Sequence, residues 1–197
     1  NWLLQKVKNN LINERPKKIE IGTVIKPDIL ENQARFIYLG IGSNLGNRIS
    51  NIEKAKFLLI ENGVNLISVS GYFETPSWPN PKNPRFINIV LKVKSLIKPI
   101  ELLNLCKSIE KKLGRKKSLK NSPRECDIDI IDFQGLIMKG KLNLPHKSMH
   151  KRNFVLFPLF DIEKDWFHPS LKDYIKKLLL SLSNKDIRLL NKFNLVL

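Results

Sequence analysis

Residues 122–133 read SPRECDIDIIDF, and their pattern predicts a largely buried β-strand that carries two carboxylates. The isoleucines of this stretch are β-branched, which favours a strand. Because successive side chains of a strand point to opposite faces, Asp127 and Asp129 face the same way, roughly 6–7 Å apart. Two like charges at that separation repel each other, and a divalent cation between them removes the conflict. The pattern therefore predicts either a magnesium platform beside a phosphate site or the solvated face of an edge strand.

Strand and helix patterns alternate upstream of this stretch. Strands are predicted at 36–41, 64–75 and 85–95, and helices from about residue 51 to Ile60 and from Pro99 to Gly114. With the strand at 126–133 the order is β-α-β-β-α-β, which predicts an α+β, ferredoxin-like fold with helices on one face of an antiparallel sheet. Extra C-terminal helices are predicted at 154–162 and 170–183.

Residues 1–34 are a separate piece from the domain predicted at 35–197. A helical pattern over 1–12 precedes an alternating, strand-like pattern over 17–25, which Lys26-Pro27 ends. One helix and one strand cannot bury a core alone. We interpret this piece either as an N-terminal extension packed on the sheet or as the tail of an upstream domain.

The composition favours a folded protein of a reducing compartment. Hydrophobic residues make up 42% of the chain and aromatic residues 8%, and no apolar run approaches the length that spans a membrane. Two cysteines, Cys106 and Cys126, form neither a disulfide framework nor a zinc spacing, and the three histidines lack a metal-ligand partner set. We therefore expect a cytoplasmic protein without a membrane partner.

The net charge of +17 has several possible explanations. It suits nucleic acid, an acidic membrane or a polyanionic small molecule, although a chain rich in Lys, Asn and Ile also acquires such a charge without any partner. A basic ferredoxin-like module that binds RNA is one alternative. The chain lacks the aromatic RNA-binding signature, and paired aspartates on a central strand would repel phosphates, so we expect no nucleic-acid partner.

Six segments carry a resemblance to a known family. They are IYLGIGSNLGNR (37–48), FETPSW (73–78), RFINIV (85–90), IEKKLGR (109–115), SPRECDIDII (122–131) and PHKSMHKRNFVLFPL (145–159). In this order they resemble the 6-hydroxymethyl-7,8-dihydropterin pyrophosphokinase family of folate biosynthesis, over roughly residues 36–185. The resemblance implies a ferredoxin-like fold and transfer of pyrophosphate from ATP to the pterin hydroxymethyl group, with release of AMP.

The resemblance also implies a set of site residues. Asp127 and Asp129 would hold two Mg²⁺ ions that bridge the ATP phosphates, and Arg115 and Arg124 would complete the catalytic set; no general base is assigned. The ATP-binding residues would be Glu110, Arg115, Arg124, Ile130, His146 and Arg152. The pterin would stack on Phe86 and Phe154 and meet Thr75, Pro76, Trp78 and Asn88.

Two parts of the chain depart from the family pattern or extend it. Lys120-Asn121-Ser122 stands where the family has Arg-Trp-Gly, and lysine also replaces arginine at Lys117, which keeps the charge but loses the planar fork. A catalytically impaired family member is therefore the second alternative. Residues 1–34 faintly resemble the tail of dihydroneopterin aldolase, which predicts fusion to, or association with, another folate-pathway enzyme.

Overall fold

The computed structural model describes residues 36–116 and 121–193, and it confirms the predicted α+β fold. The predictions for residues 1–34, Lys117 and Lys120 lie outside this range. The strands are β1 (Ile37–Ser43), β2 (Asn65–Val69), β3 (Tyr72–Thr75), β4 (Phe86–Lys94), β5 (Asp127–Phe133), β6 (Phe167–His168), β7 (Asp173–Tyr174) and β8 (Asn191–Phe193). The α-helices are α1 (Arg48–Glu61), α2 (Pro99–Lys112), α3 (Asn153–Ile162), α4 (Ile175–Leu180) and α5 (Asn184–Arg188), with a 3₁₀-helix at Met149–Lys151.

The sheet is antiparallel and places β4 at its centre, with β1 between β4 and the edge strand β5. Its order is β5-β1-β4-β3-β8, and β2 also pairs with β4. The strand region predicted at 64–75 is therefore divided into two strands, β2 and β3, that both pair with β4. The register aligns Gly42 with Asp127 on one side and with Asn88 on the other. This alignment places the predicted metal platform on β5 and the predicted pterin strand β4 at the same level on either side of β1.

Helices cover both faces of the sheet, whereas the βαββαβ pattern predicted helices on one. Alternate residues of β1 divide between two cores: Ile37, Leu39 and Ile41 pack with α1 and α2, and Tyr38 packs with α3 and α4. Burying each large apolar side chain contributes about 1.5–3 kcal/mol. The extra helices are therefore an integral part of the core.

The C-terminal helix is shorter than the pattern at 170–183 predicted. Asp173 and Tyr174 instead form β7 and pair with Phe167 and His168 of β6, and α4 begins only at Ile175. Backbone pairing with a neighbouring strand has overridden the local helical spacing. Within the two described ranges, no helix is long and apolar enough to cross a membrane.

The face of the sheet that packs against α3 and α4 is covered only in part. The site lies at its uncovered end. Helix α3 packs over Tyr38, Val90 and Ile131. The other end of the same face, which carries Asn88 and Asp127, lies open to a cleft.

Candidate active site

The cleft on this open end has a volume of about 290 Å³ and gathers most of the predicted site residues. Its lining includes twelve of them: Thr75, Pro76, Trp78, Phe86, Asn88, Arg115, Arg124, Asp127, Asp129, His146, Arg152 and Phe154. Glu110 and Ile130 are not part of the lining. The side chain of Ile130 belongs to the core on the far side of the sheet and does not line the cleft.

Two glycines of β1 form the floor of the cleft. A Cβ on Gly42 would lie 2.8 Å from Asn88 Oδ1 and 3.4 Å from Phe86 Cδ1, and one on Gly40 would lie 3.2 Å from Ile131 Cδ1. The absence of side chains there therefore leaves room between β4 and β5. Neither glycine is among the predicted site residues, although glycines at alternate positions of a strand signal a close approach on one face.

Asp127 lies among cations. Arg115 Nη1 is 2.5 Å from Asp127 Oδ1, and Arg124 Nε is 3.3 Å from Asp127 Oδ2. That Arg124 nitrogen is buried and, despite this distance, lacks a hydrogen-bond partner among the described residues. A buried donor without an acceptor is costly, so this N–H suits an incoming anion.

Asp129 faces a second, looser group of basic side chains. Arg152 Nη1 lies 3.7 Å and His146 Nε2 3.9 Å from Asp129 Oδ2. Burial lowers the pKa of His146, and Arg152 adds to this effect although Asp129 opposes it. His146 is therefore neutral at pH 7 and offers the cleft a hydrogen-bonding ring rather than a charge.

Glu110 supports the cleft from below. Its side chain is 2% exposed, and its Oε2 lies 2.7 Å from Arg115 Nη1. Its Oε1 accepts the Ile128 backbone N–H at 2.8 Å and the Lys107 ammonium at 2.8 Å. Burial lowers the pKa of Arg115, but Asp127 and Glu110 together outweigh it and raise the value above its ordinary level. Glu110 thus ties the permanently charged Arg115 to β5.

The opposite side of the cleft is aromatic and amidic. Asn88 is nearly buried and donates to Thr75 Oγ1 at 3.2 Å. Phe86 of β4 and Phe154 of α3 both line the cleft, and each ring has an arginine nearby: Arg124 Cζ lies 5.6 Å and Arg152 Cζ 5.5 Å from the respective centroid. Aromatic faces and amide groups are the contacts that a flat polar ring requires.

Some lining residues were not predicted. Lys107 and Asn121 border the cleft with the predicted set. Lys107 lies three positions before Glu110 on α2, a spacing that places both on one helix face and is visible in the sequence. Trp78, which was predicted, is 68% exposed at the rim.

Residues 38–164 match the family described as 7,8-dihydro-6-hydroxymethylpterin-pyrophosphokinase. This chain belongs to that family. A pyrophosphokinase of this kind from Aquifex aeolicus is 39% identical over 142 residues, which are 72% of this chain and 88% of that protein. One from Methylorubrum extorquens is 34% identical over 65% of this chain and 82% of its own length. The predicted family and enzyme class are therefore confirmed.

Other relatives are much longer than this chain. The folic acid synthesis protein of Schizosaccharomyces pombe is 33% identical over 81% of this chain, but the match spans 22% of that protein. A Plasmodium falciparum HPPK-DHPS crystal structure superposes with a TM-score of 0.56 at 15% identity, over 73% of this chain and 44% of its own. At that identity the superposition supports the fold alone.

The carboxylate pair suits a magnesium ion by its chemistry. The Asp127 side chain is 22% exposed and the Asp129 side chain 38% exposed, so both reach the cleft. The described ranges contain no cluster of three or more His, Cys, Asp or Glu side chains placed to hold a metal. Mg²⁺ commonly uses one or two carboxylates and takes its remaining ligands from water and substrate phosphates. The two aspartates fit that mode of binding.

Proposed function

We propose that this chain transfers the pyrophosphate group of ATP to 6-hydroxymethyl-7,8-dihydropterin and releases AMP. The observation that carries the proposal is that one cleft contains two groups of side chains. One is the pair of aspartates with the arginines beside it, and the other is the aromatic and amide side chains of Phe86, Phe154 and Asn88. The first group suits a magnesium-bound polyphosphate and the second a flat polar ring. Membership of the pyrophosphokinase family supports the same reaction.

The phosphate side would bind ATP through cations held at fixed positions. Arg115 is fixed by Glu110 and Asp127, and Arg124 has a spare buried donor. Guanidinium groups contact phosphate oxygens through two parallel hydrogen bonds, so they orient the chain of phosphates as well as attract it. Arg152 and neutral His146 extend this surface beside Asp129.

Asp127 and Asp129 would hold the magnesium ions. Bound there, the ions would neutralise the charge that develops on the phosphate oxygens during transfer.

The pterin side would hold the acceptor by stacking and by its polar edge. Phe86 and Phe154 offer ring faces, and Asn88 with Thr75 offers an amide and a hydroxyl. The hydroxymethyl oxygen then forms a bond to the β-phosphorus while the bond from that phosphorus to the α–β bridging oxygen breaks. AMP leaves with the bridging oxygen, and the hydroxyl proton passes to solvent. Such a transfer depends mainly on alignment and charge stabilisation, so no general base is required.

The test is AMP release from ATP and Mg²⁺, with and without the pterin, for the wild type, Asp127→Ala and Asp165→Ala. Asp165 is a matched control because its side chain is 63% exposed and pairs only loosely, at 3.7 Å, with Lys176. We expect pterin-dependent AMP release from the wild type and from Asp165→Ala, and none above background from Asp127→Ala. A folded wild type without such release would overturn the proposal and favour an impaired family member.

We also propose a cytoplasmic location, which the free thiols of Cys106 and Cys126 support. Association with another folate-pathway enzyme is proposed too, since several relatives carry this family within a longer chain.

A further inference from the structure

Asn44 lies directly after β1, between the two loops that border the cleft. One loop, residues 76–85, joins β3 to β4 and carries Pro76 and Trp78; we call it the pterin-side loop. The other, residues 121–126, precedes β5 and carries Arg124; we call it the phosphate-side loop. Asn44 is 2% exposed, so its amide has no access to bulk water.

The Asn44 amide bonds to both loops at once. Its Oδ1 accepts the Arg124 backbone N–H at 2.8 Å, and its own backbone N–H donates to the Arg124 carbonyl at 3.1 Å. On the other side its Nδ2 donates to Ser77 Oγ at 3.1 Å and to the Pro84 carbonyl at 3.1 Å. Ser77 is buried as well and donates its hydroxyl to the same Pro84 carbonyl.

These partners fix the chemistry that position 44 requires. A backbone N–H only donates and a carbonyl only accepts, so the side chain must offer an acceptor toward Arg124 and a donor toward Pro84. An amide supplies both groups on one short side chain, and an aspartate supplies only the acceptor. Because Asn44 and Ser77 are buried, breaking one of these contacts leaves a polar group of the Asn44 amide without water to replace its partner.

We propose that Asn44 is a positioning residue that holds the pterin-side loop against the phosphate-side loop and so sets the alignment of the two substrates. This inference rests on the proposed function. The transfer step requires the attacking oxygen in line with the phosphorus, and small displacements cost much of the rate. Asn44 is not among the residues that line the cleft, so it acts through the loops that carry Arg124 and Trp78.

Asn44→Asp separates the two contacts. It keeps the acceptor for the Arg124 N–H but sets a carboxylate oxygen against the Pro84 carbonyl, which displaces the pterin-side loop. We expect the pterin Kd to rise about tenfold and kcat to fall about tenfold, while the Kd of a non-hydrolysable ATP analogue with Mg²⁺ stays within about twofold. Calorimetric titration of each ligand and steady-state AMP release measure the three values. Ser77→Ala removes one bridging hydroxyl with less disturbance, and the same selective loss is expected on a smaller scale.

Asn62→Asp is the matched control, because Asn62 Nδ2 also donates to a carbonyl, that of Leu58 at 2.8 Å, at the end of α1 and outside the cleft lining. It should leave both affinities unchanged. A folded Asn44→Asp that binds the pterin as the wild type does, or that loses both ligands equally, overturns the inference. If Asn44→Asp does not fold, Ser77→Ala decides: unchanged pterin affinity overturns the inference and a selective loss supports it. A wild type that neither binds the pterin nor releases AMP overturns the proposed function itself.

Discussion

The guanidinium of Arg115 contacts the carboxylate of Asp127 directly, with Nη1 2.5 Å from Oδ1. The same nitrogen lies 2.7 Å from Oε2 of the buried Glu110. The side chain of the proposed metal ligand Asp127 is therefore oriented by an arginine that is itself held by the protein interior. The geometry explains how the Asp127 carboxylate is held in a fixed orientation in the cleft.

This contact predicts a specific cost for Arg115→Lys. Lysine keeps the positive charge but cannot bridge two carboxylates and a phosphate with a planar fork, so we expect kcat/KM for ATP to fall ~10–100-fold. Arg48→Lys is the matched control, since Arg48 pairs with Glu74 at 2.9 Å and does not line the cleft. Steady-state kinetics of both variants give the comparison. A loss below about twofold for Arg115→Lys would show that its charge alone matters.

The glycine floor predicts a difference between two otherwise identical substitutions. In Gly42→Ala the new methyl group would meet Asn88 Oδ1 at 2.8 Å and would displace the amide that donates to Thr75. In Gly40→Ala it would meet the end of the flexible Ile131 side chain at 3.2 Å. We therefore expect Gly42→Ala to weaken pterin binding about tenfold and Gly40→Ala to weaken it much less. Titration of the pterin into each variant measures this, and equal losses would contradict the account.

The sequence alone correctly predicted the features of the fold and site that depend on the periodicity of side chains. Alternation in β5 places Asp127 and Asp129 on one face, and the structure has both in the cleft. The order of strands and helices from residue 36 to Phe133 also matched, because each of these elements carries its own apolar pattern and its own stop signals. The short strands β6, β7 and β8 were not predicted.

The features of the site that depend on tertiary contacts could not be predicted from the sequence. The role of Glu110 required knowing that α2 lies beneath β5, which lets one buried carboxylate reach Arg115 and the Ile128 N–H. Asn44 reads in the sequence as an ordinary turn residue after a strand, and only the folded chain brings Arg124 and Pro84 to its two ends. The short helix α4 was overpredicted because strand pairing at Asp173 competes with helical spacing.

The two cysteines should be unreactive in the native protein. Burial raises the pKa of Cys106 to about 12 and that of Cys126 to about 12, so very little thiolate exists at pH 8. We expect a chromogenic disulfide reagent to label neither thiol within minutes in native buffer and both at once in denaturant. Cys106→Ser serves as the control and should halve the denatured signal. Rapid labelling of the native wild type would contradict the buried placement of both side chains.

His168 predicts how stability depends on pH. Its side chain is 5% exposed, Nδ1 accepts the backbone N–H groups of Ser170 and Leu171 at 3.2 Å each, and burial, aided by His150, lowers its pKa to about 4. The unfolded chain has the ordinary value near 6.5, so between these values it binds more protons than the native state does. The free energy of unfolding should therefore be constant above about pH 6.5 with respect to this group and fall by up to ~1.4 kcal/mol per unit down to about pH 4. His168→Asn keeps an acceptor for the two N–H groups but does not titrate, so it should show a shallower fall in urea unfolding measured from pH 7 to pH 4.5. Equal pH slopes for the two proteins would contradict a neutral, buried His168.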